Sequence, residues 1–222
     1  MVDGVLVDDA TLATVTGKYL GNDMLVGLRV DLVSHWRGPD GSQASAGGTL
    51  QVERTATGFN VQIDSHSDAV AGDPAAATAA ANASAVGGDG LAVNGIGQVV
   101  QIAGDGNRMS NVASISFRPM AMAGGDFNGA AHSSHSAGAT TAVVSFSGGG
   151  VQVGVNGPGG FVGQSLNAGG DGGIAQAARI AGNDQVGGNW MHLQMLTTGL
   201  PAHCLQQLGV QQALAGMQQL PR

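Results

Sequence analysis

Few residues in this chain are of types that do chemistry, and their spacing sets what they can do. His132-Ser133-Ser134-His135, with Asp126 nearby, has a spacing that could hold a metal ion on a helix turn or loop. The stretch is otherwise Gly, Ala and Ser with no third strong ligand adjacent, so a loop without metal is expected. His66, between Asp64 and Asp68, is expected to be a solvated loop residue. Gly87-Gly88-Asp89-Gly90, Gly104-Asp105-Gly106-Asn107 and Gly170-Asp171-Gly172 carry the Gly-Asp steps of calcium-binding β-roll turns, but the second Asp and the tandem copies that such turns need are missing. No Lys follows Gly157-Pro158-Gly159-Gly160, so it is not a phosphate loop. Glu53 is the sole Glu, which makes a paired-carboxylate hydrolase hard to assemble. Ser, His and Asp occur without a nucleophile elbow. No catalytic, cofactor-binding or metal-binding residue is expected, and the chain is not expected to be an enzyme. Trp36 and Trp190 each follow a strand-like or repeated segment; packing in a core or interface is expected, with a carbohydrate-stacking platform as the functional alternative.

The elements around these residues follow from composition. The 222 residues include 39 glycines and only 10% charged residues, with a net charge of −7, against roughly 25% charged and about 7% Gly in an ordinary globular chain. Lys18 and Glu53 are the only residues of two strong helix-forming types, so a mostly helical protein is excluded. Seven Arg without a basic cluster give nucleic acid or an anionic membrane nothing to hold, and no apolar run is long enough for a transmembrane helix. Hydrophobic residues at 43% allow a buried core, while the sparse charge leaves a surface that copies of the chain would most simply cover. Met1-Val2-Asp3-Gly4 has no basic or continuous apolar character, so no signal peptide is expected there. The Gly, Ala, Ser, Thr, Asn and Gln bias reads like that of an exported protein, and a mature form with an added Met1 is expected. Cys204, the single cysteine, is either a buried small residue or a thiol for intermolecular pairing.

From Met24, apolar Met24, Val26, Leu28, Val30 and Leu32 alternate with mixed neighbours, the period of a half-buried strand. Turn residues at 38–41, alternation at 49–54 and again at 59–63 predict an antiparallel meander over residues 22–64, within an N-terminal unit of residues 1–70. Asp73-Pro74 ahead of the Ala-rich run 75–85 predicts a linker or short helix over 71–90. Residues 91–198 form a Gly/Asn/Gln-rich β region, and 199–222 a C-terminal arm. In that β region Gly95-Ile96-Gly97-Gln98-Val99-Val100-Gln101-Ile102-Ala103-Gly104 aligns without a gap, 78 residues on, with Gly173-Ile174-Ala175-Gln176-Ala177-Ala178-Arg179-Ile180-Ala181-Gly182. Asn111 aligns with Asn189 at the same offset, and Gln185 stands where the first copy has Asn107.

Strands of this kind, stacked in register, would bond Gln98 and Gln176, and Asn111 and Asn189, to their counterparts as amide ladders around a dry interior of Ile and Val. Gly104, Asn107 and Gly182 would make the corners, because Gly and Asn tolerate positive φ. The run from Gln98 to Asn111 resembles the repeats of secreted functional amyloids of the Fap and curli type, which also place Gln and Asn at fixed distances around an Ala-Gly-x-x-Asn turn. Two copies, 78 residues apart, and the N-terminal meander depart from that pattern. The resemblance implies an extracellular fibre subunit of the biofilm matrix.

The fold expected is all-β: an N-terminal meander plus a Gly/Asn/Gln-rich β-solenoid-like or stacked-sheet region. The function expected is structural, self-assembly into an extracellular or cell-surface fibre, a homopolymer joined by β-strand addition. No cofactor, nucleic acid or membrane insertion is expected, and matrix polysaccharide is a further candidate partner. The alternative is a monomeric β-solenoid binding module, an adhesin or a carbohydrate- or ice-binding protein; a β-helix hydrolase is disfavoured by the scarcity of carboxylates.

Overall fold

The computed structural model describes residues 25–73, 75, 84–86, 95–118, 125–167 and 173–197. The expected helix or linker over 71–90 lies mostly outside these residues. The C-terminal arm 199–222, with Cys204, lies wholly outside them.

Every regular element among the described residues is a strand. The alternating N-terminal segment forms β1 (Leu25–Arg37), β2 (Gln43–Thr55) and β3 (Gly58–Val70), paired antiparallel in sequence order. The first repeat copy forms β4 (Gly95–Ala103) and β5 (Arg108–Arg118). A second meander follows: β6 (His132–Ala137), β7 (Thr140–Ser147), β8 (Gly150–Gly157) and β9 (Gly160–Asn167). The second repeat copy forms β10 (Gly173–Ala181) and β11 (Val186–Thr197).

Two mixed sheets result. A long-stranded sheet has the order β3-β2-β1-β11-β5, and a short-stranded sheet the order β4-β10-β9-β8-β7-β6. They face each other, with β1 and β2 on β7 and β8, and β11 on β9 and β10. Each repeat copy therefore crosses from one sheet to the other at its Gly turn. The N-terminal meander and the repeat share one sheet, because β1 pairs antiparallel with β11. The described residues form neither a closed barrel nor a solenoid.

The interior is built by period-2 alternation. Val30, Leu32 and Trp36 of β1 meet Val144, Val153 and Val155 of the second meander, all buried, each worth about 1.5–3 kcal/mol on burial. The strands run further than apolar alternation alone indicates. β2 begins at Gln43 because Ala44, Ala46 and Gly48 continue its inward face with small groups, and a Cβ on Gly48 would press on Val144, Val151 and Val153. β3 continues to Val70 on the same terms, with Ser65 and Ala69 buried. His66 is therefore a strand residue, correcting the loop reading; its ring lies over Gly47, where any side chain would collide with it. His132 and His135 also stand on a strand, β6, where residues three apart point to opposite faces, so the pair cannot converge on one ion.

The two repeat turns stack on each other through Gly182 N–H to the Ala103 carbonyl and Asp184 N–H to the Asp105 carbonyl, both 2.9 Å. Gly104 has φ +108°, and a Cβ there would run into the Gly182 carbonyl. Gly104→Ala is accordingly expected to lower stability by at least about 1–2 kcal/mol, read as a drop in urea midpoint at unchanged slope; an unchanged midpoint contradicts the stacked turn.

Candidate functional site

The parallel pairs β10–β4 and β11–β5 keep the 78-residue offset, so each residue of one copy lies beside its counterpart: Gln176 by Gln98, Asn189 by Asn111. Inside the sandwich these side chains form two rows of amides. In the short sheet, Gln98 Nε2 donates to Gln176 Oε1 (2.6 Å) and Gln176 Nε2 to Gln164 Oε1 (3.0 Å). In the long sheet, Ser34 Oγ donates to Asn189 Oδ1 (2.6 Å) and Asn189 Nδ2 to Asn111 Oδ1 (2.9 Å). Gln176, Asn189 and Ser34 are fully buried, where an unpaired polar group costs about 1–3 kcal/mol.

The rows also tie the sheets together. Gln164 Nε2 donates across to the Trp190 carbonyl of β11 (3.0 Å), and Gln176 Nε2 to the Val112 carbonyl of β5 (3.1 Å). In return Asn189 Nδ2 donates to the Ala177 carbonyl (3.2 Å), and Asn111 Nδ2 reaches the Val99 and Gln176 carbonyls at 3.4 Å. Asn107 joins the turns, donating to the Gly182 carbonyl (2.6 Å) and accepting from Gln185 N–H (3.0 Å). Gln185, which replaces Asn in the second copy, instead accepts from Trp36 Nε1 (3.0 Å) and donates to the Ala181 carbonyl (3.0 Å). Repetition pointed to Gln98, Asn111, Gln176 and Asn189. It could not point to Gln164 and Ser34, which complete both rows from strands outside the repeat.

The rows run out at one end of the sandwich. β4 and β5 are the edge strands of their sheets on the same side. Their inward positions are core positions cut open: Ile96 and Ile102 are each 45% exposed, whereas their counterparts Ile174 and Ile180 are 7% and 0% exposed. Ile115 and Phe117 on β5 are likewise about half exposed. A shallow hollow lined by Ile96, Gln98, Asn111, Val112 and Ala113 lies between the two edges.

The opposite end, formed by β3 and β6, is tied across near its middle, while Phe59 and Val61 beside the β2–β3 turn stay 71% and 58% exposed. Gly129 N–H donates to the Ile63 carbonyl (3.0 Å), and the Asn128 side chain accepts from Ser65 N–H (3.2 Å) and donates to its carbonyl (2.7 Å). Ser65 Oγ bonds the Ala130 carbonyl, and Ser67 Oγ meets Ser133 Oγ on β6. His135 stands 3.6 Å from Asp68 across this seam. Residues 128–130 thus occupy the β3 edge at Ile63 and Ser65.

The two tryptophans part company. Trp36 is buried in the core, whereas Trp190 lies on the outer face of the long sheet, 42% exposed, with its ring stacked on His35 at 4.4 Å. Among the described residues no group of three or more His, Cys, Asp or Glu converges as a metal site would.

Two expectations follow. Asn189→Leu leaves the Ser34 hydroxyl and the Asn111 and Ala177 carbonyls without their partner and is expected to cost about 2–3 kcal/mol, against about 1 kcal/mol for Asn111→Leu, which orphans only one donor of Asn189 Nδ2. Equal losses in chemical denaturation contradict the one-ended row. Burial holds the His35 pKa below its ordinary 6.5, partly offset by a bond to the Gly188 carbonyl. The unfolded chain takes up that proton more readily, so the stability His35 contributes is complete above about pH 6.5 and is lost as pH falls through the lower folded value. The melting temperature is expected to fall from about pH 7 to about pH 5, and less steeply in His35→Gln. Identical slopes contradict the assignment.

Set against known proteins, the chain matches no family model, no curated protein and no solved structure.

Proposed function

We propose that this protein is a structural subunit of an extracellular fibre, joined to its neighbour by strand addition at the β4–β5 end. The observation that carries this reading is the cut-open core at that end. Ile96, Ile102, Ile115 and Phe117 occupy inward positions and remain about half exposed, as in a domain core divided between two partners. Two adjacent strand edges present backbone donors and acceptors to any chain that adds there. The β3–β6 end, tied across at Ile63 and Ser65, supports the same reading, since neither amide row reaches it. The low charge and the Gly/Asn/Gln bias support a secreted, matrix-forming role, and the stacked repeat turns support a solenoid-like continuation of the sandwich through the neighbour.

The test is association of the purified protein and its dependence on the open edge. Wild type is expected to associate with rising concentration in sedimentation velocity. Ile102→Lys and Ile115→Lys, which put a charge at half-exposed edge positions, are expected to stay monomeric with unchanged circular dichroism. Wild type and both variants sedimenting alike overturns the reading.

A monomeric binding module is the second reading, and Trp190 favours it. Its indole sits in a flat outer row between Val33 and Val112, the kind of surface on which a sugar ring stacks.

A further inference from the structure

The amide rows form a series with one member missing, and the missing member identifies what the open end receives. In the short sheet each Gln donates to a carbonyl on the long sheet one strand nearer the open end: Gln164 of β9 to Trp190 of β11, then Gln176 of β10 to Val112 of β5. Gln98 of β4 is next, and among the described residues no strand lies beyond β5 to supply its carbonyl. Direction matters as well. Along the Gln row the donors point away from the open end, leaving Gln98 Oε1 at the tip as an acceptor. Along the Ser34–Asn189–Asn111 row they point toward it, leaving Asn111 Nδ2 at the tip as a donor, with only 3.4 Å contacts behind it.

Resting on the reading of β4–β5 as an assembly edge, we propose that its occupant is a third rung of the same motif, carried by a different chain and laid parallel and in register on β4 and β5. Such a rung has Gln and Asn at the spacing of Gln98 and Asn111, with a Gly turn between them. Its Gln donates to Gln98 Oε1, its Asn oxygen accepts from Asn111 Nδ2, and the carbonyl following its Asn accepts from Gln98 Nε2. Its apolar residues cover Ile96, Ile102, Ile115 and Phe117.

A second copy of this chain does not present that surface. Its own β4–β5 rung is bonded on the required side to β10–β11, and its β3 edge carries no Gln–Asn motif and is bonded at Ile63 and Ser65 by residues 128–130. Two copies meeting at their open ends about a two-fold axis across the strands would set carbonyl against carbonyl at Gln98 and amide against amide at Asn111; only an axis along the strands, with each β4 antiparallel on the other copy's β5, brings Gln98 Oε1 to Asn111 Nδ2, and that is the self-association the sedimentation test reads.

The probe is a synthetic peptide of residues 95–118, which carries the motif with both edges free, dye-labelled and titrated with the full-length protein by fluorescence anisotropy. Saturable binding is expected, weakened about tenfold or more when the peptide carries Gln98→Leu and Asn111→Leu, since two net hydrogen bonds are lost. A peptide of residues 58–70, representing the far end of a second copy, is expected not to bind. If the protein self-associates through Ile102 and Ile115 but the motif peptide does not bind, or if all three peptides bind alike, motif recognition is overturned and strand addition at the open end stands. If neither self-association nor peptide binding occurs, both fall.

Discussion

A buried amide must find a partner for each of its polar atoms, and in this protein the partner is the amide one strand away. That requirement governs the rest of the structure. Gln98, Gln176 and Gln164 satisfy one another only if β4, β10 and β9 keep their register, and Asn111, Asn189 and Ser34 impose the same condition on β5, β11 and β1. Because a one-residue slip turns every side chain to the other face, the rows fix which residues form the core as well as how the strands pair. The cross-sheet bonds from Gln164 and Gln176 to the Trp190 and Val112 carbonyls then set one sheet on the other. Apolar packing supplies most of the stability, and the amides supply the register.

Such a row has no natural last member. Each strand added satisfies the one before it and exposes a new set of unpaired groups, so a molecule built this way must either close its ends or share them. The β3 end is tied over by residues 128–130, which take up backbone groups of Ile63 and Ser65, and no amide row reaches it. At the β4–β5 end the amides and half of each apolar side chain face outward. The asymmetry between the ends is the structural basis for reading one of them as a site of assembly.

How much of this the sequence discloses depends on what kind of signal each part leaves. The register of the repeats was legible because identical residues recur at a constant offset without gaps, and Gln98, Asn111, Gln176 and Asn189 stand in that pattern. Gln164 and Ser34 were not, since they join the rows from β9 and β1, which are not repeated. Apolar alternation revealed β1 through Leu32 but missed the first half of β2 and the second half of β3, where the inward positions are Ala, Gly and Ser. Small residues are needed there because the facing sheet brings Val144, Val151 and Val153 close to Gly48, and small residues leave no hydrophobic period. The same blindness made the Ser- and His-rich β6 read as a loop. Which end of the sandwich stays open could not be read from the chain at all, because it depends on how residues 128–130 return to the edge of β3.

The account rests on assembly protecting the open edge and nothing else. Amide hydrogen exchange, compared between the monomer and the associated protein or its complex with the motif peptide, measures this directly. Backbone amides of β4 and β5 are expected to gain protection, with those of β3 and β6 unchanged. Protection gained at β3 and β6, or at neither end, contradicts the account.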